Sequence, residues 1–172
     1  RRPDGTLLYP AFPYSHFTRI ARADVAALFA YLQSVAPANK PNLAHNLQFP
    51  YDQRWLLVAW RALFFRPGVY QAVANHDERW NRGAYLVQGL GHCGACHDAR
   101  NALGAARAQD NAAGGAVLNW YAPAIDSSAE AGVGAWSEDE VAALLQAGIN
   151  GKASTLGPMA EVVYNSLQHL RE

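Results

Sequence analysis

Among 172 residues there are only two cysteines and one methionine, no net formal charge, and no long apolar run. Fourteen basic residues balance fourteen acidic ones, so the overall charge offers nothing to attract nucleic acid. No stretch reaches the ~18 apolar residues of a membrane-spanning helix. The longest, Trp55 to Phe65, is too short and is interrupted by Arg61. The amino terminus, Arg1-Arg2-Pro3-Asp4-Gly5, lacks the apolar core of a signal peptide. No segment carries a strong strand pattern, so the fold is expected to be mainly helical. What remains is enough apolar material to bury a core in one domain or one and a half.

Both cysteines fall in one stretch, Cys93-Gly94-Ala95-Cys96-His97. Two thiols separated by two residues can each add to one vinyl group of a haem, and the histidine that follows can then ligate the iron. This is the c-type haem attachment signature. Gly94 and Ala95 suit it, because the chain between the two thioethers must lie close to the porphyrin edge. The alternatives are a redox dithiol and half of a zinc site. A thioredoxin-like dithiol follows a strand, whereas the run Trp80 to Leu90 reads as helix. A structural zinc site needs four thiolate or imidazole ligands, and only histidines are left to complete one. His16, His45, His76 and His169 have no spacing that suggests a metal site, and His92 reads as a packing or propionate-side residue.

The single methionine, Met159, follows Leu156-Gly157-Pro158. A lone methionine is ordinarily a flexible core filler. Here the Gly-Pro pair is expected to break the chain into a stiff loop that presents the thioether as the sixth iron ligand. Arg100 is a candidate partner for a haem propionate through a charge-assisted fork. Trp120, Tyr121 and Pro123 offer flat surfaces for a porphyrin edge, with generic core packing as the alternative, and Pro158 lies beside the ligand.

The proline-punctuated segment Thr6 to Tyr14 reads as an extended loop. Val25, Leu28, Phe29 and Leu32 recur at helical spacing and predict a helix over Arg22 to Ser34, ended by Pro37 and Pro41. Asp52 is expected to cap a second, aromatic helix through Phe65. That helix reads as core between two lobes, or, more sharply, as a membrane-surface or partner-facing element. A third helix, from about Asp77 to Gly89, leads into the haem motif. Ser137-Glu138-Asp139-Glu140 is a capping box opening a helix to Ala147 that Gly148 stops, and Ala160 to Asn165 forms a short helix after Met159.

This order of pieces resembles a class I cytochrome c domain. Trp80 to Val87, Gly89 to His97, Arg100-Asn101, Leu103-Gly104 and Gly157 to Val163 resemble, more specifically, the multihaem cytochrome c subunits of bacterial periplasmic dehydrogenases. Those serve alcohol, gluconate and sorbitol dehydrogenases and molybdenum hydroxylases acting on aldehydes or N-heterocycles. The resemblance implies one covalent haem c bound by Cys93 and Cys96, with His97 and Met159 on iron, and single-electron transfer rather than bond chemistry. It implies as partners a catalytic dehydrogenase subunit and, as acceptor, a neighbouring haem domain, quinone or terminal oxidase. It also implies a periplasmic location at the membrane. An open-coordination haem protein, gas-binding or peroxidatic, is the competing function, and a haem-free dithiol or zinc module a third.

Such subunits carry haem domains in tandem. Residues 1–48 resemble the ligand loop and closing helix of a preceding cytochrome c-like domain plus a linker, residues 49–76 a connecting aromatic helix, and residues 77–172 the haem-binding domain. Two departures stand out. Phe12 occupies the place where the alcohol dehydrogenase branch carries a ligand methionine, which turns the match toward the aldehyde or molybdenum-hydroxylase relatives. Asp98-Ala99 replaces the family's Thr-Pro, leaving the Ala99 carbonyl to orient His97. A class I domain closes with a C-terminal helix laid across the one before CxxCH. The sequence stops where that helix would start and reads as a fragment or mature piece, so the helix Arg22 to Ser34 is expected to cover the Trp80 to Leu90 helix instead. No signal peptide is visible, yet thioether attachment in bacteria takes place outside the cytoplasmic membrane and implies export.

Overall fold

Helix formation dominates both parts of the chain. The computed structural model describes residues 2–107, 112–117 and 119–170. The chain divides into two compact units, residues 1–95 and 96–172, and the division falls within the CxxCH motif.

In the first unit, a short helix α1 (Tyr14–Phe17) starts at the last residue of the Thr6 to Tyr14 segment expected to be extended. Helix α2 (Arg22–Ser34) has the bounds its apolar spacing predicts. No side chain caps it at Ala21. Instead the Ala21 N–H donates to Tyr85 Oη at 3.0 Å, and the Tyr85 hydroxyl donates to the Asp24 carboxylate in the first turn. Burial, and then this bond to Asp24, push the Tyr85 phenol above its usual pKa. This tie holds only the polar end of α2. Phe29 is 61% and Leu32 65% exposed, and Asp24, Ala27, Leu28, Tyr31 and Leu90 line an open depression of about 310 Å³ instead of a packed seam. The expectation that α2 covers the helix before CxxCH is therefore corrected: the two meet at a hydrogen-bonded corner, and the apolar face of α2 lies open.

Helix α3 (Leu56–Phe64) begins four residues beyond Asp52, which does not cap it. Backbone turns satisfy its first amides, because Leu56, Leu57 and Val58 N–H each bond to the carbonyl three residues back, at 3.0–3.1 Å. Arg61, the charge inside the apolar run, places its guanidinium over the rings of Tyr14 (4.9 Å) and Phe65 (4.4 Å). Two cation–π contacts of about 0.5–1 kcal/mol each account for its tolerance there. Leu57 is buried, whereas Trp55, Val58 and Leu63 are exposed.

Helix α4 (Glu78–Tyr85) is capped by Asp77, whose carboxylate accepts from Trp80 N–H at 2.8 Å. Asn81 ties it to the preceding loop, donating to Val73, His76 and Asp77 carbonyls and accepting from Tyr70 Oη and Val73 N–H. The expected continuation to Gly89 is not α-helical. Leu86–Leu90 form a π-turn in which Gly91 N–H reaches Leu86 O at 2.7 Å. A short helix α5 (Gly94–His97) follows.

The second unit contains a feature the sequence did not signal, a hairpin of β1 (Gly115–Val117) and β2 (Trp120–Ala122), paired Gly115↔Ala122, Ala116↔Tyr121 and Val117↔Trp120. Its strands are three residues long, too short for alternation to register in the sequence. Asn119, at φ 63°, takes the left-handed conformation of its tight turn. Helix α6 (Glu138–Ala147) follows the expected capping box, with Glu140 N–H on Ser137 Oγ (3.1 Å) and Ser137 N–H on Glu140 Oε2 (2.8 Å), and Gly148 ends it at φ 75°. Helix α7 (Gly157–Asn165) and a 3₁₀ turn (Leu167–His169) pack against it. Val163 and Ala105 are buried, but no large side chain among the described residues is fully enclosed.

Glu140 carries a prediction. The hydrogen bond from Lys152 Nζ (2.8 Å), and then the Ser137 N–H, hold its carboxyl below the usual range. A lowered folded pKa means that this contribution to stability is complete above the ordinary glutamate pKa and is lost as pH falls through the lowered one. The difference in melting temperature between wild type and Glu140→Gln should therefore be present at neutral pH and shrink in acid. A pH-independent difference would contradict it.

Candidate haem attachment site

The π-turn delivers the first cysteine. Cys93 N–H bonds to Val87 O at 3.0 Å, and a methyl group on Gly91 would lie 2.9 Å from Leu86 O, so this position has no room for a side chain. His92 adopts φ 39°, accommodated by a ring contact edge-on to Phe17 (4.8 Å) and an Nδ1···O contact of 3.1 Å to Leu90. It is a packing residue, one of the two roles expected for it. Helix α5 carries the rest of the motif. Cys93 and Cys96 are half-buried, with no disulfide between them.

In the second unit His97 is buried, and its Nδ1 donates to Pro123 O at 2.7 Å. This corrects the expectation for Ala99, whose carbonyl is engaged by the Arg107 N–H at 2.9 Å. The chain returns through the hairpin and brings Pro123 to the ring across 26 residues of sequence, a separation at which no local pattern identifies the partner. With Nδ1 protonated, the neutral ring has its lone pair on Nε2, the form that ligates a metal.

The backbone around His97 is clamped from behind. Gly114 N–H donates to His97 O (2.8 Å), and the buried Asp98 carboxylate accepts from Ala112 N–H (2.8 Å). Asp98 was not among the sequence candidates, yet its burial and this bond make it part of the support. Gly115 lies so close that a methyl group there would sit 2.4 Å from Asp98 O and 2.8 Å from Cys96 O.

Met159 is half-buried and lies in the first turn of α7, not in the loop expected for it. Pro158 is the second residue of the helix instead of stiffening a loop, because its fixed φ suits the first helical turn, where a missing N–H breaks no intrahelical bond. Trp120 packs on Gly157, and Tyr121 lies against Gly114. Arg100 donates to Gly104 O at 3.0 Å. Among the described residues no three His, Cys, Asp or Glu side chains gather as a metal site. The element before the cysteines is helical, not a strand. Neither the zinc nor the dithiol alternative gains support from these two features.

No protein-family model matches the chain. It is 45% identical over 93% of its length to a subunit of the nicotinate dehydrogenase of Pseudomonas putida, covering 14% of that protein. To the cytochrome c subunit of the quinone alcohol dehydrogenase of Gluconobacter oxydans it is 39% identical over 98% of its length, covering 37%. To a diheme cytochrome c-type protein of Cereibacter sphaeroides it is 35% identical over 96%, covering 55%. The chain thus spans between 14% and 55% of the length of these relatives. Over almost its whole length, this chain is similar in sequence to the cytochrome c subunits of bacterial dehydrogenases.

Proposed function

We propose that this chain carries single electrons through one covalently bound c-type haem, as part of the electron-transfer subunit of a periplasmic dehydrogenase. The observation that carries the reading is His97, oriented by Pro123 so that Nε2 is available, directly after two cysteines at the attachment spacing that form no disulfide.

When bound, haem c supplies a one-electron Fe(III)/Fe(II) couple. Cys93 and Cys96 would hold it through thioethers, and His97, its ring fixed by Pro123, would ligate its iron. Met159 would be the second protein ligand to iron, its soft sulfur favouring the ferrous state and raising the potential relative to two histidines. Two protein ligands leave no position for a substrate. Trp120, Tyr121 and Pro158 border the ligand-bearing segments of the second unit. Arg100, directed to Gly104, reaches a propionate only if that bond is exchanged.

The partner is a catalytic dehydrogenase subunit, and the electron passes on to a neighbouring haem, quinone or terminal oxidase. The relation to a nicotinate dehydrogenase favours an N-heterocycle or aldehyde dehydrogenase over the alcohol branch, in keeping with Phe12. The exposed apolar face of α2 supports reading residues 1–48 as the closing part of a preceding cytochrome c-like domain, residues 49–76 as a connector and 77–172 as the haem-binding part. No helix among the described residues is long and apolar enough to cross a membrane. Attachment at the membrane surface would involve partners or the exposed apolar residues Trp55, Val58 and Leu63 at α3. Protein produced with c-type maturation machinery should retain haem after acid-acetone extraction. Haem that extracts freely would return the dithiol reading to the front.

A further inference from the structure

We infer that Trp120 is a positioning residue for Met159, and that strand β2 acts as the spacer setting the sixth ligand against the fifth. This rests on the His97/Met159 ligation proposed above. One short stretch makes two contacts that carry the inference. At its end, Pro123 O accepts the His97 Nδ1 hydrogen bond at 2.7 Å. At its beginning, the Trp120 indole lies against Gly157, two residues before Met159, so closely that a Cβ on Gly157 would come within 2.6–2.8 Å of Cζ2, Cε2 and Cη2. Gly157 holds φ 51°, a conformation that bulkier residues adopt only with strain.

The stretch between these contacts cannot drift freely. Trp120 pairs with Val117 and Ala122 with Gly115 across the hairpin, and Gly115 is pressed against the Asp98 and Cys96 carbonyls. The indole thus rests on a strand anchored to the same backbone that carries His97. Its flat face determines where the chain enters α7, and Met159 follows in the first turn, with Pro158 fixing φ between them. A single strand therefore refers both ligands to one frame. This assigns Trp120 a role different from stacking on the porphyrin edge.

The test uses the haem-loaded chain with Trp120→Ala, Trp120→Phe, Gly157→Ala and Met159→Ala. Readouts are the long-wavelength sulfur-to-iron(III) band and the rate of carbon monoxide binding to the reduced protein, with thermal melting alongside. Trp120→Ala should weaken the band and raise the carbon monoxide rate about tenfold, since apparent binding scales with the population in which Met159 has let go. Trp120→Phe, which keeps a flat ring, should retain most of the band. Gly157→Ala, which leaves the indole in the hairpin but forces it away, should reproduce the Trp120→Ala spectrum and provides the reading if that variant does not fold. A lowered melting temperature with an unchanged band and carbon monoxide rate in both variants would make Trp120 a structural residue only and overturn the inference. A wild-type band that persists in Met159→Ala would overturn the ligation itself, and the positioning role with it.

Discussion

With the His97/Met159 ligation proposed above, Met159→Ala is expected to convert the haem-loaded protein from a low-spin electron carrier into a high-spin form that binds carbon monoxide when reduced. No second methionine exists in the chain to take its place. His97 is locked to Pro123 by a 2.7 Å hydrogen bond, so the fifth position persists while the sixth opens. The sulfur-to-iron(III) band should vanish. The midpoint potential should fall on the order of 0.1 V, a fraction of the roughly 0.8 V that axial ligation spans, because the thioether that favours Fe(II) is gone. Visible spectra of both oxidation states and a redox titration read these effects together. A wild type already high-spin and open to carbon monoxide would favour the gas-binding or peroxidatic reading, in which Met159 does not ligate.

Gly115→Ala should be the most damaging conservative change in the support of the site. The added methyl would meet Asp98 O at 2.4 Å and Cys96 O at 2.8 Å. Both are backbone atoms, and neither can swing aside as the end of a flexible side chain would. Overpacking of this kind costs about 1–3 kcal/mol, occasionally more, equivalent to roughly 2–4 °C of melting temperature per kcal/mol for a chain of this size. The movement that relieves the clash would also displace Gly114, whose N–H holds His97 O. The haem spectrum should therefore change along with stability. Gly68→Ala is the control, since nothing lies within 4 Å of the added methyl, and surface changes of that sort stay within about 0.5 kcal/mol. Equal melting temperatures for the two variants would show that the clamp behind His97 yields at little cost.

Helix α2 matched its expected bounds and α6 ended at Gly148 as expected, because apolar spacing, a capping box and a C-terminal glycine are patterns written within one or two turns. Asp52 illustrates the limit of such signals. Its residue type suits a cap, but tight backbone turns satisfy the amides at the start of α3 without it. Pro158 was legible as a breaker of the chain before it, yet the same fixed φ made it a helix starter, and so Met159 lies on α7.

By itself the sequence determined the chemistry offered: two thiols at the haem spacing followed by histidine, one thioether, and helical segments to carry them. These are properties of residue identity and near-neighbour spacing. Only the tertiary structure decided which carbonyl orients His97, what lies behind its backbone, and what rests on Gly157. Pro123, Gly115 and Trp120 reach their partners through a hairpin with three-residue strands, and contacts made by chain return depend on the fold as a whole, so no short stretch of residues records them.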